Sequence, residues 1–412
     1  MNCMSKATHD GGAAAGSLPA GKLSLWQKIM CRMVDRIRVG SIRLEFPGGR
    51  SHTVTGAEPG PAATLYLKNP RPIIRLMTSG DLGFAKSYID GDWDSPDISA
   101  LLNFALLNEQ ALRSVIAASA IWGKIALLRH RLRRNSKRGS RRNIAYHYDL
   151  GNDFYKLWLD ETMTYSSALF EEPHLTLSEA QTAKYARIVR ELEIGPDDHV
   201  LEIGCGWGGF AEYAIRQTGC RVTGLTLSKE QAAFASDRLD RAGLGDKSDI
   251  RIEDYRDCGG EFDKIVSIEM FEAVGEENWP VYFSAVRDRL KPGGKAMIQT
   301  ITIDDERFDD YRRNADYIQT YIFPGGMLPS LATFRSAAGN AGLAVKDWLG
   351  FGKHYARTLL TWEQDFIAQW ERIRPMGFDE RFKRMWRYYL HYCAAGFQVG
   401  SINVLQFKLE KA

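Results

Sequence analysis

The chain has 412 residues, 44% of them hydrophobic and 25% charged, and a formal net charge of +3. Such a length allows two or three domains with an ordinary core and calls for no exotic class. Six cysteines are scattered without a C-x-x-C pair, which argues against a disulfide framework or structural zinc, so no metal is expected and a reducing cytoplasm is favoured.

Residues 1–24 read as a disordered tail: Met1 to Gly21 is rich in Gly and Ala and has neither the apolar core of a signal peptide nor the arginines of a transit peptide. Residues 25–128 read as a small α+β domain. Arg38 to Phe46 and Ala63 to Leu67 alternate like short strands. Gly83 to Trp93 looks like a helix ending at a glycine turn, and Ser99 to Leu107 has helical spacing. The longest apolar stretch, Val115 to Leu128, is broken by Lys124 and is too short to span a bilayer.

Residues 129–142 carry eight Arg or Lys and no acid, with Ser136, Gly139 and Ser140 interspersed. A solvated linker is the plain reading of such a run. Following directly on an apolar stretch, it also fits a peripheral attachment to an anionic membrane surface, and that reading leads. No helix-turn-helix, zinc finger or aromatic RNA-binding signature accompanies the charge, so nucleic acid is not expected.

Residues 143–412 hold the motifs. Ala145 to Tyr155 and Met163 to Phe170 are aromatic-rich, and Val200-Leu201-Glu202-Ile203-Gly204-Cys205-Gly206-Trp207-Gly208-Gly209-Phe210 reads as strand, tight turn and helix. The glycines let the backbone turn sharply and lie close to a ligand. By spacing alone this also fits the dinucleotide fingerprint G-x-G-x-x-G. However, the second strand, Arg221 to Leu225, runs into Thr226-Leu227-Ser228 without the acid that a nicotinamide ribose wants. Glu202 beside the turn suits a cationic ligand instead, and Glu202 with this loop looks like the first motif of S-adenosylmethionine-dependent methyltransferases.

Further on, strands at Asp249 to Ile252, Phe262 to Ile268 and Lys295 to Thr302 alternate with helices at Lys229 to Ala242 and Asn278 to Leu290. The alternation predicts an α/β fold: a doubly wound, Rossmann-like parallel sheet with helices on both faces. Gly204, Thr226, Asp254, Glu272 and Gln299 would then converge beyond the strand C-termini. Ile303 to Pro329 is long for a connection and reads as a substrate lid. Trp362 to Trp370 and Arg381 to Ala395 have helical spacing, and Ser401 to Leu409 alternates as a final strand.

His147-Tyr148-Asp149-Leu150-Gly151-Asn152, Tyr165-Ser166, the Gly204 loop, Asp254-Tyr255-Arg256-Asp257, Phe271-Glu272 and Tyr321-Ile322-Phe323-Pro324-Gly325 together resemble cyclopropane-fatty-acyl-phospholipid synthases in order and spacing. The resemblance is strong from about Arg141 onward and loose before it. It implies a seven-stranded methyltransferase sheet and S-adenosylmethionine as methyl donor. Tyr165, Ser166, Gly204 and Gly206 would line the methionine part, Thr226 and Gln231 the ribose, and Tyr255 and Arg256 the adenine side; from its position, Asp254 would take an adenine amino hydrogen.

The implied reaction adds a methylene across the cis double bond of an unsaturated phospholipid acyl chain, through a carbocation that needs aromatic faces and a dry pocket. Tyr165, Phe170, Trp207, Phe271, Tyr317, Phe323 and Tyr355 are the candidates. A base must then remove a proton. In the family that base is thought to be bicarbonate held by a Glu, a His, a Tyr and backbone groups. Glu272 and Tyr355 match, the histidine position reads Gln299, and the pocket cysteine position reads Ser167. Cys393 matches a family cysteine and is read as packing.

The cysteine usage and the basic segment together point to a cytoplasmic enzyme at the inner face of the membrane, with a homodimer left open. Two alternatives stand: a methyl-branched or methylene product without ring closure, and a lipid-binding protein whose pocket is impaired by Gln299 and Ser167.

Overall fold

The computed structural model describes residues 23–116 and 150–411. Residues 1–22 of the N-terminal tail, most of the apolar stretch Val115 to Leu128, the basic segment at 129–142 and the motif residues His147 to Asp149 lie outside them. Among the described residues no helix is long and apolar enough to cross a membrane.

The N-terminal part begins with α1 (Leu25–Val34) and continues into β1 (Val39–Phe46), β2 (Arg50–Thr55), β3 (Glu58–Leu67) and β4 (Trp93–Asp94), which form a four-stranded sheet in the order β2-β1-β3-β4. Ile42, Leu44 and Phe46 alternate inward along β1, as the sequence pattern requires. β2 escapes that reading because it is an edge strand with no buried residue, so nothing in Arg50–Thr55 alternates. Helix α2 (Arg71–Ile89) starts twelve residues before Gly83, its expected first residue, and is broken at Gly80, where φ is 57° and ψ −144°. It is followed by α3 (Ile98–Leu107), capped by the Asp97 carboxylate on the Ala100 amide, and α4 (Glu109–Ile116).

The second part is an α/β sheet of seven strands in the order β10-β11-β9-β8-β5-β6-β7. Its strands are β5 (His199–Ile203), β6 (Arg221–Thr226), β7 (Ser248–Ile252), β8 (Phe262–Ile268), β9 (Leu290–Ile303), β10 (Leu343–Gly350) and β11 (Ile402–Lys411). The first five in sequence pair parallel, while β11 lies antiparallel between β9 and β10.

The helices of this part begin with α5 (Asn152–Tyr155), α6 (Leu177–Leu192), α7 (Gly209–Thr218), α8 (Lys229–Arg241) and α9 (Trp279–Arg289). They continue with α10 (Asp305–Arg313), α11 (Leu331–Asn340), α12 (Gly352–Ala368), α13 (Trp370–Ile373) and α14 (Glu380–Val399).

Period-two alternation sends the strand residues to two separate cores. Val200, Val222, Val266 and Met297 pack with Ile188, Phe210 and Leu239 on one face. Leu201, Leu225, Ile265 and Ile298 pack with Phe283, Phe334 and Phe407 on the other. The doubly wound sheet read from the alternation is therefore present.

Helix α14 fastens the two parts together. The Arg384 guanidinium donates to the carbonyls of Tyr88 (2.5 Å) and Trp93 (2.8 Å) and to the Asp94 carboxylate (3.1 Å). Tyr88, Trp93 and Tyr388 pack ring against ring in a core running from α1 to α14 without interruption.

Candidate active site

Beyond the C-terminal ends of the parallel strands lies a cavity of about 1470 Å³. One end is walled by the turn after β5. Gly204 (φ 86°) and Gly206 (φ 52°) occupy the left-handed region that side chains avoid, and a Cβ at Gly206 would meet nothing within 4 Å. The open side of Gly206 is the cradle that a closely approaching ligand requires.

Glu202, only 3% exposed, reaches the same wall, and its Oε2 has no hydrogen-bond partner. Burial raises its pKa well above the usual carboxylate range, against the pull of Lys184 and Arg238. A cationic ligand would supply both the charge and the donor this carboxylate lacks, so these residues fit S-adenosylmethionine.

Other expected cofactor residues gather around the same end. The Thr226 hydroxyl donates to Gln231 Oε1 (2.9 Å), and Ser228 caps α8 through the Gln231 amide (3.2 Å). Asp254 and Tyr255 line the cavity, whereas Arg256 stands behind them. Its guanidinium grips Asp254 from Nε (2.8 Å) and Nη2 (2.6 Å) and lies 5.5 Å from the Tyr255 ring centre.

The Tyr165 hydroxyl pairs with that of Tyr389 at 2.8 Å. Ser166 accepts a 2.5 Å bond from Lys184, a fully buried lysine that also donates to Gln181 and whose pKa desolvation lowers to about 7.

The middle of the cavity departs from the sequence reading. Gln299 and Tyr355 were expected to share an anion with Glu272; instead, both converge on Glu269, the residue after β8. Glu269 Oε1 accepts from the Ser167 amide (2.8 Å) and from Gln299 Nε2 (2.8 Å), and Oε2 accepts from the Tyr355 hydroxyl (2.5 Å).

The Gln299 amide has only one possible orientation here. Gln406, opposite it in the β9–β11 register, receives Arg187 on its oxygen (2.6 Å) and donates from its nitrogen to Gln299 Oε1 (2.9 Å), so the Gln299 nitrogen must face Glu269. Gln299, Gln406 and Ser167 are all fully buried. The donors that the resemblance assigns to bicarbonate are thus engaged by a carboxylate of the chain itself, and bicarbonate does not fit.

Glu269 also sits at φ 50°, a conformation that non-glycine residues seldom hold and that tends to persist where function requires it. Its signal in the sequence is an acid ending an apolar strand, in Ile268-Glu269-Met270. Burial raises its pKa, while Lys184, Tyr355, the Ser167 amide and Gln299 pull it back.

Glu272 is placed differently. One oxygen accepts from the Ile301 amide (2.5 Å) and the other has no partner. Burial, followed by the charge of Glu269, pushes its pKa up to about 8. At neutral pH Glu272 therefore holds a proton, while the three donors facing Glu269 favour its ionised form against the burial that raises its pKa.

Aromatic faces surround this point. Tyr165, Trp207, Tyr317, Phe323 and Tyr355 line the cavity. Phe170 packs under Arg357 instead, and Phe271 lies in the core against Trp279, Tyr282 and Phe283. Tyr388 and Tyr389 line the wall without having been expected, because only α14's fold-back brings them there. Cys393 also lines it, its thiol pKa raised by burial. The segment Ile303 to Pro329, which contains α10 and a π-helical turn at Ile318–Ile322, forms one side of the cavity.

The far end is apolar and belongs to the N-terminal part: Met30 and Met33 of α1, Leu65 of β3, and Leu101 and Phe104 of α3.

A family model described as mycolic acid cyclopropane synthetase matches residues 135–407. The chain belongs to this family. It is 36% identical over 405 residues to a tuberculostearic acid methyltransferase of Mycobacterium tuberculosis, covering 96% of this chain and 92% of that one. It is 35% identical over 358 residues to the cyclopropane-fatty-acyl-phospholipid synthase of Escherichia coli K12, covering 86% and 88%. A crystal structure of a mycolic acid cyclopropane synthase complexed with SAH and CTAB is 32% identical, with a TM-score of 0.62 over 66% of this chain and 98% of that one. Membership makes the chain an S-adenosylmethionine-dependent methyltransferase acting on lipids.

Proposed function

We propose that the enzyme adds a methylene from S-adenosylmethionine across the cis double bond of an unsaturated phospholipid acyl chain, closing a cyclopropane ring. One observation carries this reading. A single cavity joins the glycine turn, through a belt of aromatic rings and the Glu269 carboxylate, to an apolar arm in the N-terminal part.

An acyl chain fits such an arm, and the aromatic belt lies where a cationic carbon would form. When bound at the turn, the sulfonium supplies an electrophilic methyl. Glu202, Gly204 and Gly206 would hold it, with Tyr165 and Ser166 beside the methionine part and Thr226, Gln231, Asp254 and Tyr255 toward the nucleoside. Tyr165, Trp207 and Tyr317 exclude water from the reacting carbon. Bicarbonate has no part in this reading.

The N-terminal part at 25–128 then serves as the acyl-binding domain, and residues 143–412 as the catalytic one. The basic segment at 129–142 would hold the enzyme on the anionic inner leaflet, at about 1 kcal/mol per basic residue near the surface. Sedimentation with anionic vesicles that does not weaken with salt would remove that role.

A second reading, a methyl-branched or methylene-bearing chain without ring closure, is favoured by the 36% identity to a tuberculostearic acid methyltransferase across 96% of the chain. Expression in a host lacking cyclopropane lipids, followed by mass analysis of its acyl chains, tests the proposal. Chains heavier by one methylene that resist hydrogenation support the ring. Chains that take up hydrogen support the branched alkene, and unaltered lipids refute both.

A further inference from the structure

We propose that Glu269 is the catalytic base, a carboxylate built into the chain at the place where proton removal needs an anion. The proposal rests on the alkylation reading above and deepens it.

Three observations carry it. Glu269 lines the cavity between the glycine turn and the aromatic belt, so a substrate carbon held there faces it. Three donors from three separate elements, the Ser167 amide, Gln299 on β9 and Tyr355 on α12, all point at its two oxygens and select the ionised form. The Arg187–Gln406–Gln299 chain locks the amide among those donors, and the backbone holds the unfavourable φ that aims the carboxylate.

Glu272 does not compete for the role. It has a backbone amide on one oxygen only and keeps its proton at neutral pH.

The step balances without a further reactant. As the alkene's π pair forms a bond to the incoming methyl carbon, that carbon's bond to sulfur breaks, leaving a cationic carbon on the chain. Glu269 takes one proton from the added methyl, and the electrons of that C–H bond close the third side of the ring. Loss of a proton from a neighbouring chain carbon would give a branched alkene by the same balance. Glu269 leaves the step as a neutral carboxylic acid and returns its proton to water when the product departs. Gln299, Tyr355 and Gln406 are positioning residues in this scheme.

Replacing the acid with glycine suits the local backbone, because φ 50° is a conformation glycine holds freely. Glu269→Gly should keep wild-type affinity for S-adenosylmethionine in calorimetry while its turnover on dioleoyl phospholipid vesicles falls by about 10²–10⁴-fold. The variant leaves its three donors free around an empty space, so added bicarbonate, formate or acetate should restore part of the rate. The wild type should run at full rate in buffer stripped of carbon dioxide.

Wild-type turnover that disappears in stripped buffer and returns with bicarbonate would overturn the proposal, as would a Glu269→Gly enzyme at full rate without added anion. Should the glycine variant fail to bind cofactor, Glu269→Asp takes its place. Its shortened carboxylate should lower turnover at least tenfold with unchanged cofactor affinity, and an undiminished rate would refute the role. A wild type inactive on every unsaturated lipid would refute the alkylation reading itself, a result separate from either variant's.

Discussion

On the proposed cofactor side of the cavity, Glu202, Gly204 and Gly206 come from one strand and the turn that ends it, so a few adjacent residues make the wall. On the opposite side, the Glu269 carboxylate is held by donors from β9, α12 and the segment around Ser167, and is oriented through β11 and α6. The first wall is left incomplete by design, with a buried carboxylate oxygen lacking a partner and a glycine opening onto empty space. The second is already satisfied by the chain itself. A surface that awaits a ligand and a surface that has supplied its own anion imply different chemistry: binding at one, proton transfer at the other.

This difference predicts how each wall breaks. Gly206→Val should have the largest effect on the cofactor side. It puts a branched side chain at φ 52° and into the ligand's space, and should lower S-adenosylmethionine affinity by about 100-fold or more in calorimetry. Unchanged affinity would remove the turn from the site.

On the base side, Gln406→Leu touches nothing in the cavity, yet it frees Gln299 to turn its amide. Turnover should fall by about tenfold with unchanged cofactor affinity, and the acid limb of the pH–rate profile should move to higher pH as Glu269 loses a donor. A rate loss with no movement of that limb would make Gln406 merely structural. The variant should also cost about 1–3 kcal/mol of stability, because Arg187 loses a buried partner.

A different kind of effect, on stability and not on turnover, concerns Glu272. Its folded pKa of about 8 lies above the ordinary 4.5, so the native state keeps a proton that the unfolded chain releases. Stability should therefore decline as pH rises from about 4.5 to about 8 and level off beyond, and Glu272→Gln should remove that decline. Denaturant midpoints measured across this range check it. Identical pH slopes in the two proteins would contradict the assignment of the proton.

Legibility followed the same division. Strands β5, β6 and β8 could be read because each is buried on both faces and shows as an apolar run, and the glycine turn because its demands fall on consecutive residues. Strands β2 and β10 were hidden because edge strands bury little and so impose no pattern.

Glu269 was missed for a related reason. What distinguishes it from Glu272, three positions away, is the company of Ser167, Gln299 and Tyr355, and that company exists only after folding. The resemblance pointed to Glu272 because its motif, Phe271-Glu272, could be matched in the sequence. Gln299 and Tyr355 were found by the same route, but the carboxylate they hold was not.

The central claim is that one cavity brings a methyl donor to a carbon–carbon double bond of a lipid. S-adenosylhomocysteine release measured side by side on dioleoyl and distearoyl phospholipid vesicles, which differ only in that double bond, tests it most directly. Release with the unsaturated lipid alone is the predicted result. Equal release with both, or with neither, would contradict it.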